Sequence, residues 1–377
     1  MFDLATYLVY ILLLLFLACG TYFVSIRMGD PVLLQRERLD VSYFFFLLII
    51  SFVVGFRYQV GNDWPGYVGK FNEIKHIIDI SPSAAQTEWG FFWINRIVAV
   101  LGLGYQWMFF TVAMVTWYFY FKSVPKVIIP LLIYFLFVTG FFFWGMNGVR
   151  QFAAMAIWLC ALKFMVKRDF KLYLLLIFVA SLFHSSVLIL VPLYFIPFDK
   201  LYNRSFLFIV YIISLGFIFF INLGALHRYF DIVTLFLGKH FDVFKGYDYY
   251  INNDLMKSRD LEVGFGFYFK LLINGFIIWV SKDIVKYQEG LKSYFVLFTI
   301  GTVLFNLFYD FQLINRLSNY FLILEPILLS FICYIYWHKF WKTRRWVVVS
   351  LFILCFIFFL SSIYKNANMC SPYDFRL

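Results

Sequence analysis

Long apolar runs alternate with short polar breaks from one end of the chain to the other. Runs of about 17 to 25 residues recur, which is the length a helix needs to cross the hydrocarbon core of a bilayer. They predict spanning helices near 4–26, 41–56, 105–121, 127–143, 148–166, 205–224, 264–281, 293–309, 317–337 and 346–363. The strict two-residue alternation of a membrane barrel strand is absent, so the expected elements are helices. The first run carries Asp3 and no basic residue ahead of it. It is also longer than the core of a cleaved signal, so it is expected to span.

One stretch does not fit a single crossing. Segment 172–197 is flanked by Lys167, Arg168 and Lys171 on one side and by Lys200 and Arg204 on the other. Basic residues favour the cytoplasmic side of the membrane, so both flanks belong there. The segment must then enter and return as two short helices with a tip near Phe183-His184-Ser185-Ser186. One long tilted helix would invert every later loop and place the basic 338–345 cluster outside. The predicted fold is thus all-α and polytopic: about 10 full spans plus the hairpin, or about 12 membrane helices, in a single integral membrane domain over 1–377.

Composition sharpens this. The chain is 63% hydrophobic and only 14% charged, too little polar surface for a soluble protein of 377 residues. The net charge of +11 is spread over short loops, so it speaks to topology and lipid headgroups. Nucleic-acid binding is excluded, because there is no basic soluble module. Of five cysteines, Cys19, Cys160, Cys333 and Cys355 lie in apolar runs and Cys370 in the tail, with neither metal-site spacing nor a disulfide framework.

The basic loops 27–40, 122–126, 167–171, 198–204, 282–292 and 338–345 are expected to be cytoplasmic. The opposite side then receives the extracytoplasmic loops 57–104 and 225–262, the turns 144–148 and 309–316, the His184 tip and the tail 364–377. In loop 225–262, residues 231–237 read as amphipathic. Tyr247-Asp248-Tyr249-Tyr250 suits sugar stacking or an interfacial anchor equally well.

Arg57, Asp63, Glu88, Arg150, His184, Asp310 and Arg316 all fall on that outer side. A charge at membrane depth is expensive and usually faces a partner or a cavity. Arg150 follows Asn147-Gly148 in the first turn of a helix, where free N–H groups and the dipole favour an anion. A cation there is unfavourable unless an anion sits between, which points to a diphosphate; snorkelling to the interface is the plainer alternative. Asn315-Arg316 repeats that logic. Arg57, six residues before Asp63 with Gly61 between, reads either as a phosphate-holding arginine or as half of a local ion pair. His184 can move a proton near neutral pH or merely hydrogen-bond in the core. Glu88, in Glu88-Trp89-Gly90 ahead of an amphipathic stretch at 91–103, is a candidate substrate contact. Glu325, beside Pro326, is a candidate partner for a cation such as Lys270.

Four motifs occur in order: Arg57-x-x-x-Gly61-x-Asp63-x-x-x-Tyr67-x-x-x-Phe71, Asn147-Gly148-x-Arg150-Gln151, Ala180-Ser181-x-Phe183-His184-x-Ser186, and Asn315-Arg316 with Tyr320-Phe321. In that order and spacing, over nearly the whole chain, the sequence resembles the EpsG-type branch of the Wzy O-antigen and exopolysaccharide polymerases. Glu88-Trp89-Gly90 resembles a further outer block loosely, and Ser371-Pro372-Tyr373-Asp374 resembles a terminal Pro-Tyr feature.

The resemblance implies a GT-C-like, metal-independent glycosyltransferase with no cofactor, at the outer face of the bacterial inner membrane. It would move a growing glycan from undecaprenyl diphosphate onto the next lipid-linked repeat unit. A chain-length regulator is a candidate partner. Arg57, Arg150 and Arg316 would hold the diphosphate, and Asp63 or His184 would act as base. Tyr67, Glu88, Asn147, Gln151 and Asn315 would contact substrate. The rival functions are an O-antigen ligase-like transferase and a flippase or transporter of the lipid-linked unit; the second would spread polar residues through the full membrane depth.

Overall fold

The computed structural model describes residues 3–25, 39–77, 81–83, 85–220, 264–308 and 312–376. Loop 225–262, with its 231–237 and 247–250 segments, lies outside these residues, as do Asp310 and most of loop 27–40. Among the described residues the chain is helical, and its β contact is an isolated antiparallel bridge between Arg57 and Phe375. Among the described residues, four helices are long and apolar enough to cross a membrane: Leu4–Ser25, Val149–Val166, Asn315–Lys339 and Trp341–Tyr364. Tyr105–Ser123 with Lys126–Val138, bent by 110°, makes a fifth if counted as one span.

The chain forms two compact units, residues 1–196 with 329–377, and residues 197–328. The first contains α1 (Leu4–Ser25), α2 (Val41–Gly55), α3 (Trp64–His76), α4 (Trp89–Val100), α5 (Tyr105–Ser123), α6 (Ile129–Val138), α7 (Phe141–Asn147), α8 (Val149–Val166) and α9 (Phe170–Ser181). Helix α8 is its centre: every residue from Gln151 to Leu162 is buried. A helix apolar on all sides has no solvent face to offer and settles between others. Here the others are α5 and α9. The predicted span 127–143 is instead broken. Helix α6 ends at Val138, Gly140 adopts φ +87, and α7 restarts at Phe141. Stacked rings of Phe137 and Phe142, 4.0 Å between centroids, hold the break.

Segment 172–197 is a hairpin, as the charge of its flanks requires. The Asp169 side chain accepts from the Leu172 N–H at 3.1 Å and caps α9; such a cap contributes about 1 kcal/mol. The chain turns at Leu182–His184 and returns as a 3-10 helix, Ser185–Phe195, that contains Pro192. The Tyr173 hydroxyl donates to the Leu190 carbonyl at 2.6 Å, and the rings of Phe170 and Tyr194 meet at 5.0 Å. Both arms thus run side by side.

The second unit holds α10 (Arg204–Phe220), α11 (Phe265–Val285), α12 (Leu291–Leu307) and α13 (Gln312–Leu322). Its helices are tied by polar bonds at apolar surroundings, where an unmet polar group is costly. The Tyr211 hydroxyl donates to the Leu271 carbonyl at 2.6 Å, and Asn306 Nδ2 to Ser214 Oγ at 2.8 Å. Lys270 and Glu325 pair at 2.6 Å, as expected for two charges inside apolar runs. After α13 follow α14 (Leu324–Lys339) and α15 (Trp341–Tyr364).

The hairpin makes a topological prediction. Single cysteines introduced as Lys171→Cys and Lys200→Cys should react with an impermeant thiol reagent from the same side of the membrane. Reaction from opposite sides would show that segment 172–197 crosses.

Candidate functional site

Glu88 is the N-cap residue of α4 and stands at the meeting point of three elements. Its Oε2 pairs with Arg150 Nη1 at 2.5 Å, and its Oε1 with His184 Nδ1 at 3.1 Å. The Ser185 N–H donates to the same Oε1 at 3.4 Å, and Arg150 Nη1 also donates to Thr87 Oγ1 at 3.3 Å. Arg150 is the second residue of α8, after Gly148. Its guanidinium carbon lies 5.5 Å from the centre of the Phe91 ring and 6.0 Å from that of Tyr67. The three side chains are partly open, 15% exposed for Glu88, 22% for His184 and 31% for Arg150, so the cluster can meet a ligand without unfolding.

Charge settles the protons. Burial works to raise the Glu88 pKa, but the His184 hydrogen bond and the Arg150 charge outweigh it and hold the carboxyl at about 2. A carboxylate only accepts, so the hydrogen shared with His184 belongs to Nδ1. In the neutral ring Nε2 is then left as an acceptor, the tautomer a general base needs. Burial likewise raises the Tyr67 phenol, against the pull of Arg150, and keeps it a neutral hydroxyl.

Gly90 explains why Glu88-Trp89-Gly90 has this form. The free N–H groups of Gly90 and Phe91, in the first turn of α4, donate to the Leu182 carbonyl at 2.8 and 3.2 Å. A Cβ on Gly90 would stand 2.8 Å from that oxygen. The missing side chain lets the α4 terminus sit on the hairpin tip, and one carbonyl satisfies two otherwise orphaned donors.

A second cluster adjoins the first. Arg57 is fully buried. Its Nε donates to the Val60 carbonyl at 3.2 Å, its Nη2 to Met146 at 2.8 Å, and its Nη1 to Val54. The guanidinium stands 4.3 Å from the centre of the Phe109 ring, and burial pulls its pKa down to about 10. Val54 and Met146 lie in the last turns of α2 and α7, where carbonyls lack helical partners and the dipole favours a cation. Arg57 is therefore a strut joining two helix ends, and its donors point at backbone rather than at an open site.

Asn147 links this strut to Arg150. Its Oδ1 accepts from the Asp63 N–H at 3.3 Å, and its Nδ2 donates to the Asn368 carbonyl at 3.0 Å. Gly61, at φ +103, passes so close that a Cβ would lie 2.9 Å from Asn147 Oδ1. The tail completes the arrangement. Gly61 N–H donates to the Met369 carbonyl at 2.8 Å, Tyr58 N–H to Asp374 at 2.9 Å, and Arg376 N–H to Phe56 at 3.0 Å. The Tyr10 hydroxyl holds the Cys370 carbonyl at 2.6 Å, and burial pushes the Cys370 thiol up to about 12.

The structure thus brings Glu88, Arg150, His184 and Tyr67 together, with Asn147, Asp63 and Arg57 beside them. Gln151 is buried in the first turn of α8, and Asp63 is exposed at the start of α3. Asn315 and Arg316 belong to α13 of the other unit, where Arg316 is exposed. The role of the tail was not legible from the sequence beyond its Pro-Tyr pair.

A family model described as the EpsG family matches residues 40–375. The chain belongs to the EpsG family. The matched span begins just before α2 and ends within the tail that holds Arg57, so it takes in both clusters. EpsG membership points to a polysaccharide-polymerase type of function in a membrane protein. No curated protein and no solved structure matches the chain.

Two outcomes test the geometry. Gly90→Ala should lower the melting temperature of the detergent-solubilised protein, because the Leu182 carbonyl must move; an unchanged value would mean α4 does not rest on the hairpin tip. Glu88→Gln should also destabilise. The folded Glu88 pKa lies below its ordinary value of 4.5, so its stabilisation is present above that value and is lost as pH falls through about 2. The melting-temperature gap between wild type and Glu88→Gln should not narrow on going from about pH 7 to about pH 5. A gap that closes over that range would show a carboxylate without these partners.

Proposed function

We propose that this EpsG protein extends a polysaccharide at the outer face of the bacterial inner membrane. The growing glycan is transferred from undecaprenyl diphosphate to a hydroxyl of the next lipid-linked repeat unit. The observation that carries this reading is Glu88 bridging Arg150 and His184: an anion-binding cation and a base with its orienting carboxylate, in one partly open cluster.

In this reading the acceptor hydroxyl attacks the anomeric carbon of the donor glycan, and the carbon–oxygen bond to the diphosphate breaks. The leaving diphosphate takes the bonding electrons, so negative charge grows on it. Arg150, at the start of α8, meets that charge, and preorganised donors of this kind lower such barriers. The hydroxyl proton passes to His184 Nε2. Glu88 fixes the imidazole through Nδ1 and stabilises the imidazolium that forms, a positioning role. The Tyr67 hydroxyl supplies a neutral donor beside Arg150. Between the two expected bases, the geometry favours His184: it is held by an ionised carboxylate, whereas Asp63 is exposed at a helix start. We assign Arg57 to architecture and leave the diphosphate to Arg150.

Glycan ladders from a host lacking the gene test this. Wild type should restore long chains. At matched membrane abundance, Arg150→Ala and His184→Ala should each leave single repeat units, a loss of about 10² or more in rate. Full-length ladders from Arg150→Ala would make it structural. A wild type that restores no ladder but is needed for translocating the lipid-linked unit would make the protein a flippase. Polymer that accumulates unattached in the host without the gene would make it a ligase.

A further inference from the structure

Helix α4 has two apolar faces, and the fold covers one. Phe91, Phe92 and Val98 are buried. On the other side Trp89, Trp93, Ile97, Val100 and Leu101 are exposed, Trp89 by 60%, Val100 by 71% and Leu101 by 66%. Steps of four, four and three residues set the first four of these on one line along the helix. No charge interrupts the line. Arg96, the charged residue of α4, turns away and donates to the Ile74 and Lys75 carbonyls at 3.2 and 3.1 Å.

A stripe of this kind, with two tryptophans, is not left to water. What covers it follows from its continuation. The chain leaves α4 through Leu101-Gly102-Leu103-Gly104, exposed throughout, with Gly102 at φ +71 making the turn. It enters α5, where Trp107 is exposed and which forms with α6 the bent candidate span. The bare face of α4 therefore runs without a charged break into the start of a candidate membrane span. Twelve residues reach about 18 Å, well short of the roughly 30 Å hydrocarbon core, so α4 cannot cross. An apolar face with tryptophans and no crossing length describes an interfacial helix. The depth is consistent: Val149 and Phe152, on the first turn of α8, line one cavity with Ala113, Thr116 and Trp117 from the middle of α5.

We propose that α4 lies in the hydrocarbon of one leaflet, and that this seat holds its N-cap, Glu88, at the level of the leaflet rather than above it. The lipid-linked diphosphate then reaches Arg150 by lateral movement within the leaflet, past α4, without leaving the membrane. The identity of that ligand rests on the function proposed above; the lipid seat of α4 does not.

Photoactivatable phospholipid in native membrane vesicles, with adducts mapped by mass spectrometry, tests the seat independently of activity. Adducts are expected on Trp89, Trp93, Ile97 and Val100, as on the exposed Leu12 and Phe45 of α1 and α2. Labelled α1 and α2 with an unlabelled α4 would overturn the proposal, and so would α4 cross-linked to a second copy of the chain. Ile97→Asp, made at matched abundance, carries the functional arm. It should reduce α4 labelling and shorten glycan ladders several-fold. Ladders of full length despite lost labelling would overturn the lateral route. If wild type itself restores no ladder, the polymerase reading fails while the labelling result still decides the seat.

Discussion

The Glu88 carboxylate is the interaction on which the rest of the site depends. It draws together a helix start, another helix's N-cap and the tip of a hairpin, which come from sequence positions 150, 88 and 184. Each partner alone would be costly near apolar surroundings: a cation at the positive end of α8, a carboxylate at partial burial, an imidazole at a chain reversal. Together they satisfy one another while remaining partly open. The same contact that makes the cluster stable fixes the imidazole tautomer and holds the arginine charge against a carboxylate.

Behind this cluster lies a rigid support that carries no open chemistry of its own. Arg57 joins the carbonyl ends of α2 and α7 and the turn at Val60. Asn147 joins Asp63 to the tail, and the tail's Asn368 and Met369 carbonyls receive Asn147, Asn62 and Gly61. Asn368 and Met369 hold φ +59 and +52, a conformation that persists only where surrounding bonds over-determine it. Because α7 passes through Gly148 into α8, the position of Arg150 is inherited from this support. The two clusters divide the work: one is polar and partly exposed, the other polar and sealed.

Much of the fold was legible. Apolar runs gave most helix positions within a few residues, because burial in lipid selects composition along the whole helix. The hairpin at 172–197 followed from the charge of its two flanks, and the Lys270–Glu325 pair from the cost of either charge alone. The break at Thr139–Gly140 was missed, since apolar residues continue through it. Arg150, His184 and Glu88 stood out as charged or titratable groups out of place. Their partnership did not, because 62 residues separate Glu88 from Arg150 and 96 separate it from His184. Arg57 stood out for the same reason, yet its donors meet backbone carbonyls. An arginine that caps helix carbonyls and one that meets a carboxylate look identical in sequence.

The sequence by itself determined that this is a helical membrane protein and which family's motifs it carries. These depend on composition, charge asymmetry and local order, and all three are properties of position along the chain. The tertiary structure alone decided which arginine is a strut and which faces an open cluster, that Glu88 meets His184, and that the tail packs against the turn after α2 and Asn147. Those depend on which donor meets which acceptor, and that is fixed only when distant segments are packed.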